Sequence, residues 1–141
     1  MSASNHQEPR AHTDLTGLTV LAVEDHPDSL DLLTEALRLL GAHVIPARTA
    51  REGFELLQRY QPHLVISDIG LPDEDGCSLI QRVRQLSVAH GGATPAIALS
   101  AHSLTEDRQR ALAAGFHAYL TKPMQLDQLV ATISLLAPPT S

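Results

Sequence analysis

Apolar residues fall along this chain in two alternating patterns: short unbroken runs, and longer stretches spaced at helical intervals. The runs are Leu18-Thr19-Val20-Leu21-Ala22-Val23, His43-Val44-Ile45-Pro46, Leu64-Val65-Ile66-Ser67, Ala96-Ile97-Ala98-Leu99 and, more weakly, Ala118-Tyr119-Leu120. Continuous rather than alternating apolarity, rich in β-branched residues, predicts strands buried on both faces. The stretches between them read as helices. Leu30, Leu33, Leu37 and Leu40 share one face of a first helix that Gly41 stops. Thr49-Ala50-Arg51-Glu52 is a capping box opening a second helix, which runs through Phe54 and Leu57 and ends before Pro62. Leu79, Ile80, Val83 and Leu86 mark a third. Ser103-Leu104-Thr105-Glu106 reads as another capping box, opening a fourth helix that closes at Gly115. Leu126, Leu129, Val130 and Ile133 give the fifth.

Strands alternating with helices predict an α/β fold: a doubly wound, flavodoxin-like (βα)5 three-layer sandwich around a parallel five-stranded sheet in order 2-1-3-4-5. Right-handed crossovers then place helices one and five on one face and helices two, three and four on the other. The domain is expected over residues 17–137, between a disordered polar tail at 1–16 and a short tail at 138–141.

In such sheets ligands sit beyond the carboxyl ends of the strands, at the point where strand order reverses. Glu24 and Asp25 follow strand one, and Asp68 follows strand three. Three converging carboxylates repel unless a cation holds them. A hard divalent ion suits this oxygen set, Mg²⁺ above all and Mn²⁺ as a substitute. Ser100 follows strand four and Lys122 strand five, adding a hydroxyl and an ammonium. Metal, lysine and hydroxyl around a carboxylate are arranged to receive phosphoryl oxygens, with the carboxylate as nucleophile. Asp68 is the best placed candidate for it.

Composition narrows the partners. The chain has 141 residues and a formal net charge of −6, which speaks against direct DNA binding and against an anionic membrane surface. No apolar run approaches the roughly 20 residues of a membrane span, and no signal-peptide core is present, so a cytoplasmic location is expected. Of ten basic residues only Lys122 is a lysine. Cys77 stands alone and reads as a small packing residue. The eight histidines show no ligand spacing and read as solvated or loop residues. Asp28, Asp73 and Asp75 read as helix caps or solvated acids.

Together, Val23-Glu24-Asp25, the loop Asp68-Ile69-Gly70-Leu71-Pro72-Asp73-Glu74-Asp75-Gly76, Ser100-Ala101 and Tyr119-Leu120-Thr121-Lys122-Pro123 resemble the receiver domain of two-component response regulators, over about residues 17–136. The resemblance implies that Asp68 is the phosphoacceptor, served by a sensor histidine kinase or a phosphotransfer protein. It implies Mg²⁺ held by Asp25, Asp68 and the backbone carbonyl of Gly70, with Glu24 acting through water. Lys122 and Ser100 would contact the phosphoryl group. Tyr119 would follow Ser100 as a switch residue, and the Lys122-Pro123 peptide would be cis. Gly70 and His102 occupy positions that modulate the lifetime of the phosphorylated state. The signal would leave through the face of helix four, strand five and helix five to a protein partner.

Other readings stand beside this one. A Mg²⁺-dependent aspartyl phosphohydrolase of the haloacid-dehalogenase type needs a second acid two residues after its nucleophile, where this chain has Gly70. A flavodoxin needs a phosphate-cradling first loop, which Glu24-Asp25-His26-Pro27-Asp28 would oppose. A degenerate receiver serving only as a docking module conflicts with the filled chemical positions. Within the receiver reading, Gly115-Phe116-His117-Ala118-Tyr119 and Met124 lean towards receivers of hybrid histidine kinases, and the starting Met and polar tail towards a stand-alone protein. A monomer or weak dimer is expected.

Overall fold

The computed structural model describes residues 14–137, so all but 14–16 of the tail expected at 1–16, and the whole of the tail expected at 138–141, lie outside the described residues. Five strands and five α-helices alternate: β1 (Thr19–Val23), α1 (Pro27–Leu39), β2 (His43–Ala47), α2 (Ala50–Tyr60), β3 (Leu64–Asp68), α3 (Gly76–Arg84), β4 (Ala96–Ser100), α4 (Thr105–Ala114), β5 (Ala118–Thr121) and α5 (Leu126–Leu136). A short 3₁₀ turn, Val88–His90, lies between α3 and β4. All strand pairs are parallel, in the order β2-β1-β3-β4-β5.

The expected sandwich is present. Leu30, Leu33 and Leu37 of α1 pack with Leu129 and Ile133 of α5 on one face of the sheet. Ala50 and Leu57 of α2, Leu79, Ile80 and Val83 of α3, and Ala111 and Ala114 of α4 cover the other. The unbroken apolar runs are buried on both faces in β3 and β4. Edge strand β2 departs from this, with His43 and Pro46 exposed. Proline has no N–H to donate to a ladder and is tolerated at an edge.

Several local expectations change. Leu15, assigned to the polar tail, is fully buried, and its N–H donates to Leu40 O at 2.8 Å. A single leucine in a polar stretch carries no periodicity, but it fills the end of the α1 core. At α2 the cap forms as expected, Thr49 Oγ1 accepting from Glu52 N at 3.0 Å. At α4 it does not: Leu104 occupies the N-cap position with no side-chain bond. The N–H of His102 donates to Ser100 Oγ at 3.1 Å, and the helix begins only at Thr105. Asp75 is the N-cap of α3, accepting from Cys77 N at 2.7 Å. Cys77 is buried, and burial together with Asp75 pushes its thiol up to about 11, as suits a packing residue.

Two histidines read as solvated or loop residues are exposed, as expected, and also have structural roles at the amino ends of strands. His63 Nδ1 accepts from Thr19 N at 3.0 Å while its own N–H donates to Thr19 O at 2.9 Å. His117 repeats this on Ala96, with distances of 3.2 and 2.8 Å. Each imidazole supplies the acceptor that the first N–H of the neighbouring strand lacks. Beside His117, the guanidinium of Arg84 donates to the carbonyls of Thr94 (2.7 Å), Gly92 (3.1 Å) and Gly115 (2.7 Å). It thereby ties the loops before β4 and β5 to α3. This cluster lies at the end of the sheet opposite Asp68 and Ser100.

Candidate functional site

At the carboxyl ends of β1, β3, β4 and β5 the sheet topology gathers Glu24, Asp25, Asp68, Ser100 and Lys122. Asp68 and Ser100 are the last residues of their strands, only 8% and 2% exposed. Lys122 bridges two carboxylates, its Nζ donating to Glu24 Oε1 at 2.7 Å and Asp68 Oδ2 at 3.1 Å. These contacts join residues 98 and 54 positions apart. Glu24 Oε2 accepts from the N–H of His26 at 3.2 Å. Asp68 Oδ1 accepts from Gly70 N at 3.2 Å.

The carboxylates differ electrostatically. Burial raises the Asp68 carboxyl above its ordinary value and the charge of Glu24 raises it further, more than Lys122 offsets. Burial also opposes ionisation of Glu24, but Lys122 and the His26 N–H outweigh it and hold that carboxyl below the usual range. Burial alone would lower the Lys122 ammonium, yet its hydrogen bonds to Glu24 and Asp68 and their charges prevail and raise it. Glu24 and Lys122 are thus held charged, and Asp68 sits in a field that favours arrival of more positive charge.

Asp25 offers a place for that charge. Its Oδ1 is buried and accepts no hydrogen bond, the nearest basic atom being His26 Nδ1 at 3.4 Å. A buried carboxylate oxygen without a donor is costly, and a cation relieves it. One ligand-capable atom from each of Glu24, Asp25, His26 and Asp68 lies within 4.8 Å of the others. The three acids are legible in the sequence, whereas His26 is not, because neighbouring residues in a turn carry no metal-ligand spacing.

An open cleft of about 560 Å³ runs over this cluster, lined by Asp68, Gly70, Ser100, His102 and Lys122 among others. Gly76 is required beside it: a Cβ there would collide with the carbonyl oxygen of Asp68, so only glycine lets α3 start this close to the strand end. Gly70, by contrast, has open space at its Cβ position. Tyr119 is buried, and its hydroxyl donates to His102 O at 2.6 Å. The Lys122-Pro123 peptide is cis. All the residues read from the sequence as chemical therefore meet at one end of the sheet, and Tyr119 reaches them through His102.

Comparison with known proteins agrees with the geometry. The response regulator receiver domain family matches residues 20–134. An uncharacterized 14.6 kDa protein of Leptolyngbya boryana is 45% identical over 128 residues, covering 89% of this chain and 96% of that protein. The sensor histidine kinase RcsC of Escherichia coli K12 is 34% identical over 128 residues, 91% of this chain but only 13% of the kinase. Among solved structures, the receiver domain of the sensor histidine kinase PA1611 from Pseudomonas aeruginosa, with a magnesium ion coordinated in its active site cleft, superposes with a TM-score of 0.79. It is 30% identical, and the match covers 86% of this chain and 98% of that one.

Proposed function

This chain belongs to the response regulator receiver domain family, and on that premise we propose that it is the phosphorylatable switch of a two-component phosphorelay, with Asp68 as phosphoacceptor. The observation that carries the reading is the pairing of Asp68 Oδ2 with Lys122 Nζ at 3.1 Å, beside the buried, bond-free Oδ1 of Asp25.

The donor is a phosphohistidine of a sensor kinase or phosphotransfer protein. A carboxylate oxygen of Asp68 attacks phosphorus, the bond to the imidazole nitrogen breaks, and the nitrogen keeps the electron pair. Asp25, Asp68 and the carbonyl of Gly70 would hold Mg²⁺, or Mn²⁺ in its place. The ion supplies positive charge to the phosphoryl oxygens. Glu24 already has both oxygens engaged by Lys122 and His26, which suits an indirect role through water. Lys122, already bonded to Asp68 Oδ2, neutralises charge on the phosphoryl oxygens. Ser100 Oγ accepts from His102 N and so keeps its own proton free to donate to a phosphoryl oxygen. His102 and Gly70 border the acceptor and govern how water reaches the acyl phosphate. The absence of a side chain at Gly70 leaves that approach open.

The output face is α4, β5 and α5, read by a protein partner. The 34% identity to a stretch of the sensor histidine kinase RcsC supports a second placement, as a receiver of the type carried by hybrid histidine kinases. Incubation with acetyl phosphate and Mg²⁺, followed by intact mass measurement, tests the reading. One phosphoryl adduct is expected, lost in Asp68→Asn and in excess chelator. An adduct that persists in the mutant moves the acceptor elsewhere.

A further inference from the structure

The loop between β3 and α3, residues 69–75, is closed at its base by a bond from Gly76 N to Ile69 O at 2.7 Å. Its far end is held by a side chain that reaches another part of the chain. Asp73 Oδ1 accepts from Ala50 N and Oδ2 from Arg51 N, both at 2.9 Å. These are the first two N–H groups of α2, which the helix cannot satisfy internally. Burial is the largest single influence on Asp73 and opposes its ionisation, but the backbone donors of Ala50, Arg51, Asp73 and Glu74 together outweigh it and keep the carboxyl below its usual range.

The helix already has a local cap in Thr49, so Asp73 is a second cap brought in from a different loop. The same helix end also reaches the first acidic loop: the Arg48 guanidinium donates to the backbone carbonyl of Asp25 at 3.2 Å. Arg48 is itself held, its N–H donating to Glu52 Oε1 at 2.8 Å. The amino end of α2 therefore splints the loop that carries Asp25 to the loop that carries Gly70.

We propose that Asp73 is a positioning residue for phosphoryl transfer: by binding the amino end of α2 it sets the β3–α3 loop, and with it Asp68 and the Gly70 carbonyl, relative to Asp25. The proposal rests on the reading of Asp68 as phosphoacceptor and Gly70 as metal ligand. Asp73 touches neither, lying three residues beyond Gly70, and acts through the backbone between them. Within this short loop a released far end leaves the carbonyl at Gly70 free to wander. A metal that needs near-ideal octahedral geometry tolerates such movement poorly.

The test compares wild type, Asp73→Ala, Asp73→Asn and Thr49→Ala. Thermal unfolding, the Mg²⁺ concentration giving half-maximal phosphorylation by acetyl phosphate, and hydrogen exchange at residues 69–75 in metal-free protein are measured for each. Asp73→Ala and Thr49→Ala each remove a cap from one helix, so both lower the melting temperature. Only Asp73→Ala is expected to raise the half-saturating Mg²⁺, by about tenfold, the low end of what losing an outer partner of a metal ligand costs. Only it should speed exchange in the loop. Asparagine keeps one acceptor oxygen and should restore part of both effects, and it carries the comparison if the alanine variant does not fold. An unchanged Mg²⁺ requirement in Asp73→Ala, or an equal rise in Thr49→Ala, overturns the proposal and leaves Asp73 a helix cap. A wild-type protein that takes no phosphoryl group overturns the phosphoacceptor reading instead, and the exchange comparison then still decides whether Asp73 holds the loop.

Discussion

Tyr119 and Ser100 are joined through a single residue: the Tyr119 hydroxyl donates to His102 O at 2.6 Å, and His102 N donates to Ser100 Oγ at 3.1 Å. The backbone of His102 thus connects the proposed phosphoryl site to a buried β5 side chain that packs in the same cluster as Ala111 and Ala114 of α4. A movement of Ser100 towards a phosphoryl oxygen must break or drag its bond from His102 N, and so disturb the bond from Tyr119 to His102 O. Tyr119→Phe deletes only the Tyr119 bond, so it should cost about 1 kcal/mol in urea unfolding. It should also weaken the response of α4 to acetyl phosphate while leaving the phosphoryl adduct intact. A full α4 response in the mutant would show that the hydroxyl carries no signal.

Helix α4 is the least anchored element on its face. Its buried residues are Ala111 and Ala114, it lacks a side-chain cap, and Leu112 is partly exposed. Little apolar burial means a low local opening free energy. Amide exchange in α4 should be faster than in α1, which buries Leu30, Leu33 and Leu37, and should change on phosphorylation more than α1 does. Near-identical protection of the two helices, with and without phosphorylation, would contradict this.

Lys122 cannot be exchanged for another cation without loss. Its compact ammonium sits between Glu24 and Asp68 at 2.7 and 3.1 Å, a point-charge geometry that a planar guanidinium fork does not reproduce. Lys122→Arg should keep the net charge yet lose the phosphorylation-dependent change in α4 exchange. Lys122→Ala should slow phosphorylation by acetyl phosphate by about 10²-fold, the scale of losing one charge-stabilising donor. Rates equal to wild type in both variants would show the lysine to be incidental.

Stability should fall on the acid side through His117. Burial, and then the nearby guanidinium of Arg84, lower its pKa below the ordinary 6.5. The unfolded chain then takes up the proton first, so this contribution is complete above about pH 6.5 and is lost as pH falls through the lower folded value. Protonation also removes the Nδ1 acceptor of Ala96 N and sets a second cation beside Arg84. His117→Asn, which retains an acceptor but does not titrate, should reduce the drop in melting temperature between pH 7.5 and pH 5, a range set by the ordinary histidine value. The same drop in mutant and wild type would assign the acid sensitivity to other groups.

Much of this molecule was legible in its sequence, and for a physical reason. Burial of a parallel strand on both faces demands an unbroken apolar run, and β1, β3 and β4 announce themselves that way. Helical spacing of leucines marks α1 and α5 equally well. Once strand order is inferred, Asp68, Ser100 and Lys122 at strand ends must converge, because topology alone brings strand ends together. The capping box read at Ser103 does not form, because a capping pattern is local and the helix starts one residue later, with Leu104 at its N-cap.

What the sequence by itself determined, then, is everything set by periodicity and turn chemistry: the sheet, the two helical layers, and the acidic, hydroxyl and lysine positions at one end. Only the tertiary structure decided which backbone groups the polar side chains would serve. Asp73 binding α2, Arg84 gathering three loop carbonyls, His63 and His117 completing strand ends, and Leu15 entering the core all join segments far apart in the chain. Such contacts depend on distances between loops, which no local pattern of residues encodes.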